Sequence, residues 1–363
     1  MLRYKEWEEL KAFHTKNTFT CQVSGRNYTF EKSIFPTSVQ VGTDEILYGP
    51  VMMTAVFGDE VGQWKDQQVI CLAQDEERAI YSVTQSCENL IVNADITVEF
   101  DGFIRVDFRL IPFWSFHKDK APRLTQLFID VPLKNKFATL MHFWPNCDSG
   151  VCLSSKILNS HETPFGKTSF PFKPYLWAGW EYGGLGICCE SDRNFELNDP
   201  KDCMSITWTE EYTNIHIALL DHMPEDWQGR CDEWGNNINP IAYSIGFQAT
   251  PVKRFPKKNP DDFRAFHLYD VPRFPIFEEV KGTGETLLER IVSHGINWII
   301  LHEDWTVIQN YGLPENEEKF KIFVRDCHRL GVKVMVYFGY EVSSLYPGFN
   351  EVCDEYLNKN LQG

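Results

Sequence analysis

Two carboxylates, an imidazole and an indole follow one another directly after an apolar segment in the last quarter of the chain. They are His302, Glu303, Asp304 and Trp305, and the apolar segment is Asn297–Leu301. Packing alone does not explain this group, because polar and charged side chains need partners or water. Two carboxyl groups can act as general acid and electrostatic stabiliser, the combination that glycoside cleavage requires. We therefore take Glu303 and Asp304 as candidate catalytic residues.

Other interpretations of this cluster stay open. It is also typical of a solvated loop that caps the next helix. Neighbouring residues on a strand point to opposite faces, so Glu303 and Asp304 reach one substrate only if the backbone has turned into a loop. Imidazole and carboxylates can bind metals, but one local cluster lacks the repeated spacing of a strong metal motif. We predict no metal ion and no cofactor.

The segments around the cluster alternate between strand-like and helix-like patterns. Strand-like segments are Arg264–Tyr269, Asn297–Leu301 and Val332–Phe338, and helical spacing occurs in Thr283–His294 and after Pro314. This alternation predicts βα units and a parallel sheet. No glycine-rich phosphate loop follows any of these strands, which disfavours a nucleotide-binding sheet. We expect the first strands of a (β/α)₈ barrel.

In such a barrel, the functional residues lie at the carboxyl ends of the strands. The first strand is followed by Asp270, and the third by Tyr340 and Glu341. Because parallel strands bring these ends to one rim, we expect Asp270, His302, Trp305, Tyr340 and Glu341 to bind substrate. The aromatic rings would offer apolar faces, and the polar groups would offer hydrogen bonds.

The first 250 residues have a different pattern, with short alternating segments separated by turn residues. The clearest pair is Ala94–Phe100 and Phe103–Leu110, joined by Asp101-Gly102, a dipeptide that favours a type I′ hairpin turn. No helical periods intervene, so residues 1–250 are predicted to form a large antiparallel β-sandwich.

The predicted fold class is thus multidomain, β followed by α/β. A linker at 251–262, with three prolines and four basic residues, separates the sandwich from a partial (β/α)₈ barrel at 263–363. About 100 residues are too few for a barrel of ~250, so the barrel is expected to be truncated and this chain alone to be inactive. Its open sheet edges would need a partner, either the remaining barrel segment or a second copy.

Within the sandwich, the densest aromatic and glycine segment contains Trp180 and Glu181. One interpretation is a hairpin that packs on its own core. The other is a loop over the barrel mouth, in which Trp180 and Glu181 contact the substrate.

Charge and composition narrow the class of protein. The net charge is −16, and the 35 Lys and Arg residues are scattered, which disfavours a nucleic-acid partner. No segment has the ~18 continuous apolar residues of a membrane span, and the N-terminus lacks the apolar core of a signal peptide. The eleven cysteines follow no regular framework, which indicates reduced thiols. We expect a cytoplasmic protein without a membrane partner.

Several motifs resemble one known family. They are LHEDWTVIQNYGLP, CHRLG and VKVMVYFGYEVSSLYP in the second part, and GRNYTF, SIFPTSVQVGTDEILYGPV and WAGWEYGGLGICCESDRNF in the first. Together they resemble bacterial proteins related to glycoside hydrolase family 123, and this resemblance implies a β-sandwich before a (β/α)₈ barrel. In that family an adjacent Asp-Glu pair on a later barrel strand performs substrate-assisted hydrolysis of N-acetyl-galactosaminides. Here the pair is reversed, Glu303-Asp304, and lies on the second strand, so one interpretation places the family's pair beyond Gly363.

The leading hypothesis is therefore a glycoside-hydrolase-like protein that hydrolyses or binds a glycan, with an N-acetylhexosaminide as the substrate that the resemblance implies. The alternative is a non-catalytic carbohydrate-binding or interaction module built from the sandwich. An enzyme of other chemistry on the same barrel also stays open, because fold does not fix function.

Overall fold

The chain divides into two compact units, Met1–Arg254 and Phe255–Gly363. The structure is a computed structural model that describes residues 7–87, 90–112, 124–145, 155–158, 165–222, 241–253, 264–269, 278–302, 305–306, 314–337 and 344–356. The division between the units lies inside the segment 251–262 that the sequence marks as a linker. Among the described residues, no helix is long and apolar enough to cross a membrane.

The first unit is built from short strands. They are β1 (Lys11–His14), β2 (Thr18–Val23), β3 (Arg26–Glu31), β4 (Ser38–Val41), β5 (Asp44–Glu45), β6 (Met52–Phe57), β7 (Glu60–Val61), β8 (Lys65–Gln74), β9 (Arg78–Cys87), β10 (Leu90–Glu99), β11 (Phe103–Pro112), β12 (Leu124–Lys134), β13 (Leu140–Trp144), β14 (Ser155–Ile157), β15 (Gly166–Phe170), β16 (Tyr175–Trp180), β17 (Gly183–Cys189), β18 (Met204–Trp208), β19 (Tyr212–Leu220) and β20 (Ala242–Thr250). Within its described residues this unit has 3₁₀ turns but no α-helix.

These strands form three sheets. A five-stranded sheet has the order β1-β2-β3-β4-β5, a nine-stranded sheet β14-β13-β16-β17-β20-β11-β10-β9-β8, and a six-stranded sheet β15-β18-β19-β12-β6-β7. Pairings between named strands in the described parts of these sheets are antiparallel. The last strand in sequence, β20, lies in the middle of the nine-stranded sheet.

One hydrophobic core serves all three sheets. Phe19 of the five-stranded sheet, Val106 of the nine-stranded sheet and Ile129 of the six-stranded sheet belong to the same buried cluster. Burial alternates along the strands, as on β10, because successive side chains point to opposite faces. The predicted antiparallel, sandwich-like architecture of this part is confirmed.

Asp101-Gly102 lies in the turn that joins β10 and β11, with Gly102 at φ +78°. The turn is not the predicted type I′, because that type needs positive φ at both central residues and Asp101 does not have it; the N–H of Gly102 donates to the carbonyl oxygen of Glu99 at 2.8 Å instead. The missing side chain of Gly102 also makes room for Arg26, because a Cβ there would lie 2.7 Å from a guanidinium nitrogen. Arg26 is 1% exposed and donates hydrogen bonds to the carbonyl oxygens of Ala249 (2.9 Å) and Val252 (2.5 Å). This buried side chain therefore ties β3 to the end of β20.

The second unit contains three strands and three helices among its described residues. They are β21 (Ala265–Leu268), α1 (Leu287–Ser293), β22 (Trp298–Leu301), α2 (Glu317–Arg329), β23 (Lys333–Val336) and α3 (Phe349–Tyr356). The strands form a parallel sheet in the order β21-β22-β23. The parallel pairing that the sequence predicts is confirmed, and the described strands do not close into a barrel.

Local signals explain where the predicted boundaries shift. Helix α1 begins at Leu287 rather than Thr283, because Gly282 and Gly284 have positive φ and Thr286 is the N-cap. The side chain of Thr286 accepts from the backbone of Glu289, and the Glu289 carboxylate accepts from Thr286, which completes a capping box. In the first unit, Asn135–Phe137 is a 3₁₀ turn, and strand β13 begins after it at Leu140.

Candidate functional site

The two faces of the parallel sheet are unlike each other. Leu268, Ile299 and Leu301 face a hydrophobic core that also contains Leu288 of α1 and Phe323 of α2. Side chains at the alternate positions point away from the helices, and this second face is more exposed. The site described below lies on this second face, where the strands end.

One residue past the end of each strand, three rings form a row. They are Tyr269, His302 and Tyr337, and backbone hydrogen bonds from His302 N to Leu268 O (3.0 Å) and from Tyr337 N to Leu301 O (2.8 Å) fix their register. The His302 ring stacks on Tyr269 with centroids 4.0 Å apart and an angle of 18°. Its centroid is 5.5 Å from that of Tyr337, at 17°.

A second imidazole, that of His267, contacts the row. His267 lies two residues before Tyr269 on β21, so its side chain points to the same face. Its Nδ1 is 2.7 Å from Nε2 of His302, a hydrogen-bonding distance. Because one of these two nitrogens must donate and the other accept, the tautomer of each ring depends on that of the other.

The row combines exposed aromatic surface with imidazole groups that form hydrogen bonds. Tyr269 is 59% exposed and Tyr337 is 44% exposed. Flat exposed rings suit the apolar face of a ring-shaped ligand, while the two imidazoles can donate or accept hydrogen bonds. Two imidazoles alone do not make a metal centre, and no group of three or more suitable ligands occurs among the described residues.

The predicted site residues fall into three groups. His302 lies in the row. Trp305 lies elsewhere: it is 5% exposed, stacks on Phe320 with centroids 5.1 Å apart, and donates from Nε1 to the carbonyl oxygen of Tyr337 at 3.3 Å. This position fits a packing role, because the indole presents almost no surface to a ligand. The third group lies outside the described residues: Asp270, Glu303, Asp304, Tyr340 and Glu341.

The two residues predicted in the sandwich lie at the β16–β17 hairpin. Trp180 is partly buried against the core, with its ring 4.7 Å from that of Phe137, and Glu181 is exposed in the turn. Trp180 pairs with Gly183 across the hairpin, and a Cβ on Gly183 would lie 2.8 Å from the Trp180 ring. These contacts support the interpretation of a hairpin packed on its own core.

Sequence reasoning missed three members of the row as site residues: His267, Tyr269 and Tyr337. Each belongs to a segment that was correctly predicted as a strand, and the period of two along Arg264–Tyr269 places His267 and Tyr269 on one face. The alternating pattern does not show which face of the sheet the helices cover. Had the helix-facing positions been identified first, the alternate positions would have identified the row.

Three of the described cysteines are too deeply buried to act as nucleophiles. Burial raises the pKa of the Cys327 thiol in α2 to about 12, and burial likewise raises the pKa of Cys21 and Cys189 in the first unit to about 12. A thiol is nucleophilic only as the thiolate, so these residues are inert packing groups at neutral pH. All the described cysteines are free thiols, as the sequence predicts.

Comparison with known proteins gives one family match and several remote structural similarities. Residues 15–142 match the family model "Glycoside hydrolase 123, third domain". No curated protein matches the chain. Among solved structures, the alpha-N-acetylgalactosaminidase NagBb from Bifidobacterium bifidum in complex with GalNAc is 9% identical with a TM-score of 0.37; the alignment covers 90% of this chain and 58% of that one.

Two further structures align with the chain at similar scores. The galactose 1-epimerase from Lactobacillus acidophilus NCFM is 8% identical with a TM-score of 0.36, over 66% of this chain and 98% of that chain. The heparan sulfate lyase HepC from Pedobacter heparinus is 7% identical with a TM-score of 0.37, over 66% and 36%. At such scores these similarities assign no function to this chain.

The family match falls on the antiparallel sheets and includes two of the motifs on which the resemblance rests, at residues 25–30 and 33–51. It ends well before the ring row of the second unit. The chain spans 58% of the length of the NagBb chain with which it aligns. The resemblance to glycoside hydrolase family 123 is therefore confirmed, and residues 15–142 are the segment that carries it.

Proposed function

We propose that this chain binds a glycan at the carboxyl edge of its parallel sheet and belongs to a glycoside-hydrolase system. The observation that carries the proposal is the row Tyr269, His302 and Tyr337, with His267 hydrogen-bonded to its centre. Exposed rings and fixed hydrogen-bonding groups side by side are what a sugar requires, because a sugar has an apolar face and a rim of hydroxyls.

The position of the row supports the same proposal. In parallel βα architectures, ligands bind at the carboxyl ends of the strands, and all three row residues lie there. We propose that the second unit, residues 263–363, is part of a (β/α)₈ barrel, with residues 251–262 as the linker. The face that carries the row would then point into the barrel, because the helices cover the other face.

Catalysis is assigned to residues next to the row in sequence. Glu303 and Asp304 directly follow His302, and we propose that they act as acid and electrostatic stabiliser on the bound sugar. Asp270, Tyr340 and Glu341 would add hydrogen bonds and an apolar face on the same edge. The substrate class we propose is an N-acetylhexosaminide, in line with the family match of the first unit.

A second candidate function is a non-catalytic carbohydrate-binding or interaction module. The observation that favours it is the extent of the family match, which covers residues 15–142 and none of the proposed site. Under this alternative, glycan binding would depend on the first unit and would survive changes in the ring row.

Calorimetric titration with N-acetylgalactosamine tests the proposal and separates the two candidates. Removing a stacking ring by Tyr269→Ala or Tyr337→Ala is expected to weaken binding about five- to tenfold, on the order of 1 to 1.4 kcal/mol. Tyr182→Ala is the matched control, because Tyr182 is a 69% exposed tyrosine in the first unit. Equal affinity in all three variants would contradict the proposed site.

The catalytic assignment is tested by hydrolysis of an aryl N-acetylhexosaminide in a preparation that contains a complete barrel, because the partial barrel alone is expected to be inactive. Glu303→Gln and Asp304→Asn keep the shape of each side chain and remove its charge. We expect the rate to fall at least about 100-fold with an unchanged melting temperature, since proton transfer by a positioned group contributes ~10²–10⁴. An unchanged rate for both would return these residues to the interpretation of a solvated loop.

A further inference from the structure

A cavity in the first unit is lined by several lysines, although the net charge of the chain is −16. The cavity has a volume of about 860 Å³, and its lining includes Lys16, Lys32 and Lys65. Among the described residues that line it, none is acidic. Its volume is within the range of about 300–1,000 Å³ that is typical of small-molecule sites.

The same cavity carries an aromatic platform. Trp64 lines it, and the indole is held in place because its Nε1 donates to the carbonyl oxygen of Met53 at 2.7 Å. A neighbouring cavity of about 220 Å³ shares Lys32, Trp64 and Gln85 with the first and adds Glu31 to the lining. These three residues therefore lie between the two neighbouring cavities, and we call the larger cavity, of about 860 Å³, the lysine groove.

The backbone that presents Lys32 is held by hydrogen bonds. Lys32 has a left-handed conformation at φ +50°, which is costly for a side chain other than glycine, asparagine or aspartate. Its N–H donates to Asn17 O (3.2 Å), and its carbonyl accepts from Nε2 of Gln85 (3.2 Å), a side chain only 6% exposed. Such local strain persists only where its surroundings hold it, and it concentrates at ligand sites.

We infer that the lysine groove is a binding site for an acidic oligosaccharide, a chain of sugars that carries carboxylate or sulfate groups. The ammonium groups would pair with the anionic groups, and the Trp64 ring would stack on a sugar face. A cavity of about 860 Å³ lined by one indole and by amide side chains suits linked sugar rings better than a single small anion. Nucleic acid is disfavoured, because the remaining surface of a strongly acidic chain repels a long polyanion.

This site is distinct from the ring row of the second unit, and its test does not depend on that row. The probe is a trisaccharide of galacturonic acid, and the matched neutral probe is a trisaccharide of galactose. We expect the acidic probe to bind at least tenfold more tightly at low ionic strength, with the preference decreasing as salt is added, because salt screens exposed charges.

Substitutions locate the binding. Lys16→Gln, Lys32→Gln and Lys65→Gln are each expected to weaken binding of the acidic probe at least threefold, and the triple variant at least 20-fold. Lys11→Gln is the control, because Lys11 is an exposed lysine of β1 that lies outside the lining. Trp64→Phe retains a ring and is expected to weaken both probes less than Trp64→Ala does.

Circular dichroism and the melting temperature confirm that each variant folds. Equal affinity for the acidic and neutral probes would overturn the inference, as would a triple variant that binds like the unchanged chain. Tighter binding of a single-stranded DNA decamer than of the acidic trisaccharide would also overturn it and would indicate a nucleic-acid site. Tyr269→Ala is expected to leave the affinity for the acidic probe unchanged, which separates this site from the proposed glycan site.

Discussion

The two units differ in the side chains that they carry on the sheet face that points away from the hydrophobic core. On the nine-stranded sheet, the outer face carries opposite charges that neutralise each other, as where Arg105 contacts Asp107 at 2.8 Å and Glu190 at 3.4 Å. On the parallel sheet, the outer face carries tyrosine and histidine rings. Charged side chains on the first face are stabilised by contact with water. Solvation does not account for the ring row, because parallel sheets normally have both faces covered and exposed rings gain nothing from solvent.

The comparison predicts that buried and exposed rings contribute to stability very differently. Phe35 is 0% exposed and its ring contacts those of Phe108 and Phe247, each 5.7 Å away. Phe35→Ala is expected to lower the free energy of unfolding of the first unit by about 3–5 kcal/mol. Tyr337→Ala is expected to change that of the second unit by less than about 0.5 kcal/mol. Denaturant titration of both variants measures the difference, and a similar loss in both would mean that the ring row is structural.

A second prediction concerns buried charge. Arg26→Lys replaces a forked donor with a single ammonium, which cannot reach the carbonyl oxygens of both Ala249 and Val252. We expect the first unit to lose about 1.5–3 kcal/mol of stability. Arg105→Lys is the control on the exposed face, where the cost should stay below about 1 kcal/mol. If the two variants lost equal stability in denaturant titration, the contrast between buried and exposed arginine would fail.

The smallest expected effect is on the pH dependence of the second unit. Hydrogen bonds from the backbone and side chain of Thr286 lower the pKa of Glu289 below its usual range. The stabilisation is therefore present above the unfolded-state pKa of about 4.3 and is lost as the pH falls through the lower folded-state pKa. We expect Glu289→Gln to flatten the acid side of a plot of melting temperature against pH. Glu285→Gln, outside the capping box, should leave that plot unchanged.

Local patterns predicted much of the fold. The β10–β11 hairpin, strand β4 at Ser38–Val41 and the two helices before β22 and β23 follow from turn residues, caps and periodicity. The hairpin of β2 and β3 was missed, although Ser24-Gly25 supplies the positive φ values that such a turn needs.

The order of the strands in the sheets and the ring row could not be predicted from the sequence, for a different reason. Nothing in residues 242–250 indicates that β20 pairs with β11 and β17, because these pairings depend on which hydrophobic faces meet across the whole unit. The same holds for the hydrogen bond between His267 and His302, which requires two strands in register. His302 was predicted because it stands beside two carboxylates, and its aromatic neighbours were not, because a tyrosine at a strand end is an ordinary packing residue.

The central position of β20 also determines when the first unit can fold on the ribosome. Strands β11 and β17 flank β20, and both keep an unpaired edge until the chain reaches about its 250th residue. At ~5–20 residues per second, synthesis to that point takes on the order of 10 to 50 s. The contact from Arg26 to Ala249 spans 223 residues, and contacts of such long separation slow folding. During this interval the nascent sheet is open to association with other chains, so chaperone access matters more for this unit than for the helical segments that follow it.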